Sequence, residues 1–205
     1  MVLRTHATSG SAPWIFIEVS VHMDTAHQPM RIVVIGTSCA GKSTFTRLLA
    51  DATASQHIEL DELHWGPNWQ PKPTPVFHEL VAKAIKDERW VADGNYSAIR
   101  ELLWQNATTI VWLNYSYPRI LWQAFKRTTK RAWNSELLWH GNRESMWHAF
   151  FTRESILYWV ATTYHRRQRE FEALRQGERF AHIVWYEFRH PKQAQQWLAN
   201  RQSES

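Results

Sequence analysis

One stretch constrains the fold of this chain more than any other, because Gly36–Ser43 spells the pattern G-x-x-x-x-G-K-[ST] of a phosphate-binding loop. The preceding residues Arg31–Ile35 form a β-branched apolar run, which predicts a buried parallel strand. The following residues Thr44–Ala50 carry apolar side chains at helical spacing. Strand, glycine loop and helix therefore occur in the order that the motif requires. A chance match on a turn before a helix is the alternative, and both flanking elements argue against it.

The chemistry of such a loop comes largely from its backbone. Glycines allow the chain to wrap closely around phosphates, and successive N–H groups at a helix N-terminus stabilise their negative charge. We expect Lys42 to reach the β- and γ-phosphates of ATP and the Ser43 hydroxyl to hold Mg²⁺. The predicted nucleotide-binding residues are Gly36, Thr37, Ser38, Cys39, Ala40, Gly41, Lys42, Ser43 and Thr44.

Strand and helix patterns alternate along the rest of the chain. Apolar runs rich in β-forming residues predict four further strands, at 57–60, 90–92, 109–113 and 181–185. Such alternation indicates an α/β protein in which helices cover both faces of a parallel sheet. The predicted fold is thus the three-layer α/β/α architecture of P-loop NTPases, with five parallel strands and a small helical lid.

The domain is expected to cover residues 30–200, with residues 1–29 as an N-terminal extension that lacks a clear period and is predicted to be disordered. The lid is predicted at about 133–153, where the helical period is broken by a Gly-Asn turn between two strong helical patterns. Arg127 and Arg131 stand at its entrance and Arg143 lies within it, so a closing lid would bring guanidinium groups to the phosphates. Each of these arginines is alternatively an ordinary surface residue.

Two carboxylates follow predicted strands, at the sheet edge where ligands of α/β proteins bind. Asp93 precedes Gly94 and is predicted to hold Mg²⁺ or position a nucleophile, although an Asp-Gly pair also simply forms turns. Asp61 is predicted to orient or deprotonate the acceptor hydroxyl, with a helix N-cap as the alternative. Gly94 and Arg100 complete the predicted acceptor site, because Arg100 follows the strand end closely.

Charge and composition narrow the function classes. Lysine and arginine exceed aspartate and glutamate by 24 to 19, and the segment from Leu102 to Ser135 carries basic residues but no acidic one. Such a segment suggests contacts with a polyanion, or a solvated helix face. Cys39 is the only cysteine, which excludes an internal disulfide and fits a cytoplasmic protein. No apolar run approaches the length of about 20 residues that a membrane span needs.

Three segments together are similar to one known family. Gly36–Ser43, the run Leu-Asp-Glu-Leu-His-Trp at 60–65 with its proline-rich continuation, and Trp-Val-Ala-Asp-Gly-Asn-Tyr at 90–96 resemble adenylate-kinase-related P-loop proteins. The resemblance is strongest to those described as "DNA topology modulation protein" or "AAA family ATPase", and the segment 139–145 also fits that group. It implies an ATP- and Mg²⁺-dependent enzyme with lid arginines. The Asp-Gly-x-Pro-Arg pattern of adenylate kinases is absent, so it does not imply AMP as acceptor.

The sequence therefore predicts phosphoryl transfer from Mg²⁺-ATP to a small, unidentified acceptor. Its predicted catalytic residues are Lys42, Asp61, Asp93, Arg127, Arg131 and Arg143. The acceptor residues are Asp61, Gly94 and Arg100, and the metal ligands are Ser43 and Asp93. The alternative is a nucleic-acid-associated ATP-binding regulator with weak ATPase activity, in which the basic helix contacts phosphates and binding falls steeply with salt.

Overall fold

A computed structural model describes residues 29–134 and 156–203 of this protein. The predicted extension lies outside the described residues except for Pro29. Most of the predicted lid, including Arg143, also lies outside them. The strands are β1 (Met30–Gly36), β2 (Gln56–Glu59), β3 (Arg89–Asp93), β4 (Thr109–Leu113) and β5 (Val184–Phe188). The helices are α1 (Lys42–Ala52), α2 (Leu60–His64), α3 (Thr74–Ala84), α4 (Arg100–Asn106), α5 (Tyr117–Asn134), α6 (Ile156–Gln176) and α7 (Pro191–Ser203).

The five strands form one parallel sheet in the order β2-β3-β1-β4-β5, which confirms the predicted sheet. β1 is central because its apolar residues are buried on both faces, as a parallel strand requires. Val33 and Ile35 face one core with α3 and α4, whereas Ile32 and Val34 face another with α1 and α7. Helices therefore cover both faces of the sheet, and the three-layer architecture is confirmed.

The fifth strand begins three residues later than predicted. Phe180 closes a short 3₁₀ turn, and the N–H of Ile183 donates to its carbonyl at 3.1 Å, so the chain is still turning there. Pairing with β4 starts where the Val184 N–H donates to the Thr108 carbonyl. The apolar run at 181–185 predicted the wrong strand start because Ile183 is buried in the core, beside Phe180, before strand pairing begins.

Two glycines let the loops at the sheet edge approach each other. Gly36 has a φ of 150°, and a Cβ there would lie 2.7 Å from the Leu113 carbonyl oxygen. Gly94 has a φ of 145°, and a Cβ there would lie 2.9 Å from Cδ1 of Leu60. Both positions combine a backbone conformation that other residues rarely adopt with a lack of space. These contacts hold β1 against β4 and the end of β3 against α2.

Replacing Gly36 by alanine should lower the free energy of unfolding by about 1–3 kcal/mol, because the added methyl group meets a backbone oxygen that cannot move aside. Gly177→Ala is the matched control, since Gly177 has a φ of −76° and its nearest contact would be 3.4 Å away. Denaturant unfolding measures both variants. Equal losses of stability would contradict the close approach at Gly36.

Candidate functional site

A cleft of about 720 Å³ lies at the carboxyl edge of the sheet. Because all five strands are parallel, the loop after β1 and the segments after β2 and β3 meet at this edge. Helices α5 and α6 supply further lining residues. The residues that line the cleft are Ser38, Cys39, Gly41, Lys42, Ser43, Thr44, Glu59, Asp61, Trp65, Asp93, Gly94, Asn95, Tyr96, Gln123, Arg127, Trp159, Thr163 and Arg167.

The glycine loop turns sharply into α1. Cys39 has a φ of 65° and Gly41 a φ of 87°, both in the left-handed region. Gly41 is the N-cap of α1 and has no side chain to bind the first N–H groups of that helix. The first N–H groups of a helix have no carbonyl partner within it, so they provide donors for an anion. The loop therefore presents a helix N-terminus to the cleft.

Ser43 and Asp93 are brought together by the pairing of β1 with β3. The Ser43 hydroxyl donates to Oδ2 of Asp93 at 2.5 Å. Asp93 is buried, and its Oδ1 has no hydrogen-bond partner among the described residues. Burial raises the pKa of the Asp93 carboxyl, although the Ser43 hydrogen bond and the charge of Lys42 oppose that shift. A buried carboxylate oxygen without a partner is costly, so this atom is suited to a cation.

Lys42 lies beside this carboxylate. Its Nζ donates to the Thr37 carbonyl oxygen at 3.3 Å, which holds the side chain back along the loop. Burial lowers the pKa of the Lys42 ammonium, and the charges of Asp93 and Asp61 oppose this shift. An ammonium with so little hydration gains from phosphate oxygens placed next to it.

Asp61 faces the cleft from the other side. It belongs to the first turn of α2, whose N-cap is Glu59, so the alternative role of Asp61 as an N-cap is not observed. Its Oδ1 accepts a hydrogen bond of 2.6 Å from the Tyr96 hydroxyl. Burial, followed by the charge of Asp61, raises the pKa of Tyr96, so this hydroxyl stays protonated and keeps donating. The pair fixes the direction of the Asp61 carboxylate.

Asn95 joins the two sides of the cleft. Its Nδ2 donates to the Gly36 carbonyl oxygen at 2.6 Å, and its Oδ1 accepts from the Gly36 N–H at 3.4 Å. The residue after Gly94 is therefore tied to the start of the glycine loop. This double contact sets the distance between the loop and the segment that carries Tyr96.

The predicted arginines differ in position. Arg127 lines the cleft, with Nη1 3.9 Å from Sγ of Cys39 in the glycine loop. Arg131 belongs to α5, and only its backbone is described. Arg100 is not among the lining residues, because its Nη2 donates to Oε1 of Glu170 and its guanidinium lies over the Trp104 ring. We therefore do not keep Arg100 in the proposed acceptor site.

Sequence reasoning missed several residues of the cleft. Asn95 and Tyr96 follow the predicted Asp-Gly pair directly, but nothing in the sequence shows that they bind Gly36 and Asp61. Trp159, Thr163 and Arg167 are spaced four residues apart, so they share one face of α6. That spacing was visible in the sequence, and it becomes informative only when α6 is known to cross this edge.

Comparisons with known proteins define the fold. No family model and no curated protein matches the sequence. The chain is similar to a solved shikimate kinase from Bacteroides thetaiotaomicron, with a TM-score of 0.50 and 12% identity over 85% of this chain and 97% of that one. A gluconokinase from Sinorhizobium meliloti 1021 matches with a TM-score of 0.44 and 20% identity, over 86% of this chain and 95% of that one. This protein has the fold of P-loop kinases.

The narrower resemblance to proteins described as "DNA topology modulation protein" is not supported, because the shikimate kinase that shares this fold is described as a kinase. A separate observation concerns membranes. In the two described ranges of the chain, no helix combines the length and the apolar composition that a membrane crossing requires.

The buried carboxylate predicts a pH-dependent stability difference. Because burial raises the pKa of Asp93, the folded protein keeps this proton to higher pH than the unfolded chain, in which the carboxyl pKa is near 3.8. The free energy of unfolding is thus reduced as pH rises from this value through the folded pKa. The Asp93→Asn variant has no carboxyl group to titrate and does not lose stability in this way. The free energy of unfolding of the variant minus that of the wild type should therefore increase as pH rises from 3.8 through the folded pKa of Asp93.

Thermal or denaturant unfolding at several pH values tests this expectation. Asp51→Asn is the control, because Asp51 is exposed on α1 and its substitution removes the same charge. A difference between Asp93→Asn and the wild type that is independent of pH would contradict the account of Asp93.

Proposed function

We propose that this protein is a Mg²⁺-ATP-dependent phosphotransferase that moves the γ-phosphoryl group of ATP to a hydroxyl group of a small acceptor. One observation carries the proposal. The glycine loop with Lys42 and the Ser43–Asp93 pair shares a single cleft with Asp61, whose carboxylate is oriented by Tyr96. A phosphate-binding side thus faces an oriented carboxylate that can receive a hydroxyl proton.

Ser43 and Asp93 fit a Mg²⁺ site. The hydroxyl and carboxylate oxygens are hard ligands of the kind that Mg²⁺ prefers, and Oδ1 of Asp93 is buried without a partner among the described residues. The part of the chain that the structure describes has no cluster of three or more His, Cys, Asp or Glu, which suits a metal whose other ligands are phosphate and water oxygens. When bound, Mg²⁺ would neutralise phosphate charge.

Lys42 and Arg127 supply the positive charge of the protein itself. We assign Lys42 to the β- and γ-phosphates. Its Nζ would then donate to phosphate oxygens in place of the Thr37 carbonyl oxygen. Arg127 extends from α5 to the glycine loop and is assigned to the outer oxygens of the γ-phosphoryl group, which a guanidinium binds with two donors. Arg131 and Arg143 remain candidates for the same task.

We assign binding of the acceptor to Asp61 together with Gly94, Asn95 and Tyr96. The Tyr96 hydroxyl donates a hydrogen bond to Oδ1 of Asp61, so we assign Oδ2 as the atom that binds the acceptor hydroxyl. In the transfer, the acceptor oxygen forms a bond to the γ-phosphorus while the bond from that phosphorus to the β–γ bridging oxygen breaks. The hydroxyl proton passes to Asp61, and ADP leaves with the bridging oxygen.

The shikimate kinase that shares the fold is named for phosphorylation of a small molecule, which is consistent with a small acceptor here. The alternative of a nucleic-acid-associated regulator was suggested by the basic residues of α5. Nη1 of Arg127 lies 3.9 Å from Sγ of Cys39, and Nη2 of Arg119 lies 3.1 Å from Nε2 of His190, so two of these side chains contact other parts of the domain. We therefore favour the phosphotransferase.

Lys42→Ala should weaken binding of a non-hydrolysable ATP analogue by about 10- to 100-fold, since a charge-assisted hydrogen bond to phosphate contributes about 1.5–3 kcal/mol. Isothermal titration in the presence of Mg²⁺ measures the affinity. Lys192→Ala is the control, because Lys192 is exposed on α7. Unchanged affinity in Lys42→Ala would remove the glycine loop from the proposed site.

Asp61→Asn should lower kcat by about 10²- to 10⁴-fold, the usual contribution of a general base, while ATP-analogue affinity stays within a few-fold of the wild type. Tyr96→Phe should lower kcat to a smaller extent, because Asp61 keeps its charge but loses its orientation. ADP formation with an accepted substrate measures both.

The controls are Asp87→Asn, on an exposed turn, and Tyr186→Phe, on β5, which make the same chemical changes away from the cleft. Wild-type kcat in Asp61→Asn would exclude Asp61 as the proton acceptor.

A further inference from the structure

The acceptor side of the cleft carries no basic side chain of its own. Here the acceptor side means Glu59, Asp61, Trp65, Asn95 and Tyr96, which line the cleft after β2 and β3. Two of these side chains are carboxylates, two are aromatic and one is an amide. An anionic acceptor placed among them would meet carboxylates of like charge.

One glutamate holds two arginines, Arg100 of α4 and Arg167 of α6. Glu170 of α6 accepts a hydrogen bond from Arg100 at Oε1, and a second bond of 3.1 Å from Nη1 of Arg167 at Oε2. All three side chains are largely shielded from solvent, with exposed fractions of 17% for Arg100, 20% for Arg167 and 29% for Glu170. In such surroundings the arginines do not readily leave Glu170 to bind another anion, because the Glu170 carboxylate would then be shielded from solvent without its partners.

Arg167 is further restrained by the acceptor side itself. The same Nη1 lies 3.5 Å from the carbonyl oxygen of Asn95, the residue that binds Gly36. Arg167 thus lines the cleft while its guanidinium is engaged by a carboxylate and a backbone oxygen. Glu170 therefore neutralises an arginine that lines the cleft next to Asn95.

Two other basic side chains in this region are also engaged. Lys72 donates from Nζ to the carbonyl oxygens of Glu62, Leu63 and Trp65, at 3.3, 2.9 and 2.8 Å. These contacts hold the loop that carries Trp65. Burial lowers the pKa of the His64 imidazole, and the centroid of its ring lies 4.5 Å from that of the Tyr96 ring.

We infer that the acceptor is an uncharged polyhydroxy compound with a flat apolar face, and that Glu170 sets this preference by holding Arg100 and Arg167. The inference rests on the proposed phosphotransferase function. Trp65 and Tyr96 provide ring surfaces for the apolar face, and Asp61 receives a hydroxyl group. Selectivity comes from carboxylates that disfavour an anion as well as from contacts that favour a neutral ring.

Binding tests the inference separately from catalysis. Ligands are titrated into the full-length protein with Mg²⁺ and a non-hydrolysable ATP analogue, in pairs that differ by one charged group. The pairs are a nucleoside and its 5′-monophosphate, glucose and glucose 6-phosphate, and methyl shikimate and shikimate. We expect at least one neutral member to bind at least tenfold more tightly than its anionic counterpart.

Two variants change the preference in opposite directions. Glu170→Gln releases both arginines, so the ratio of neutral to anionic affinity should fall at least fivefold. Arg100→Met leaves Glu170 with less positive charge beside it, so the same ratio should rise. Glu172→Gln is the matched control, since this half-buried glutamate of α6 accepts a solvent-exposed hydrogen bond from Gln176. If Glu170→Gln does not fold, the wild-type ratios and the Arg100→Met variant still decide the question.

The inference is overturned if anionic members bind as tightly as neutral ones, or if no neutral compound binds. It is also overturned if neither variant shifts the ratio beyond the Glu172→Gln control. Transfer is then measured with ATP in place of the analogue. Neutral compounds that bind but yield no ADP would contradict the proposed phosphotransferase function and leave the binding preference standing.

Discussion

The hydrogen bond between Ser43 and Asp93 is the interaction on which the arrangement of the cleft depends. It joins the first residues of α1 to the end of β3, and the parallel register of β1 with β3 brings the two side chains within 2.5 Å. The carboxylate is buried, so its charge reduces the stability of the folded protein unless a cation or proton offsets it. The fold thus maintains a costly group at one position, as expected where a positive ligand is to be held.

The opposite side of the cleft depends on packing around Gly94. Leu60 is fully buried and lies so close to Gly94 that a side chain at that position would collide with it. Because Leu60 is fixed there, α2 directs its neighbour Asp61 towards the cleft, where Tyr96 binds it. Asn95 ties the same segment to Gly36, so the two sides are connected through consecutive residues after β3.

Electrostatics divide the cleft into two regions. Lys42 and Arg127 lie at the glycine loop, where phosphate groups are expected, whereas the basic groups beyond Asp61 are engaged by Glu170 or by backbone carbonyls. Charge is therefore concentrated where a nucleotide would bind. The acceptor side combines aromatic rings and carboxylates, which makes the two ends chemically different within one continuous cleft.

The sequence by itself determined the features that are local along the chain. The glycine loop is one continuous segment between a strand and a helix. The alternation of strand and helix patterns along the sequence was sufficient to predict the five-stranded parallel sheet. The fifth strand was misplaced because tertiary packing, not strand pairing, buries Ile183. Only the tertiary structure decided how distant side chains meet: Tyr96 reaches Asp61 across 35 residues, and Arg100 reaches Glu170 across 70. The first contact depends on the pairing of β2 with β3, and the second depends on the position of α6, and no local pattern in the chain encodes either.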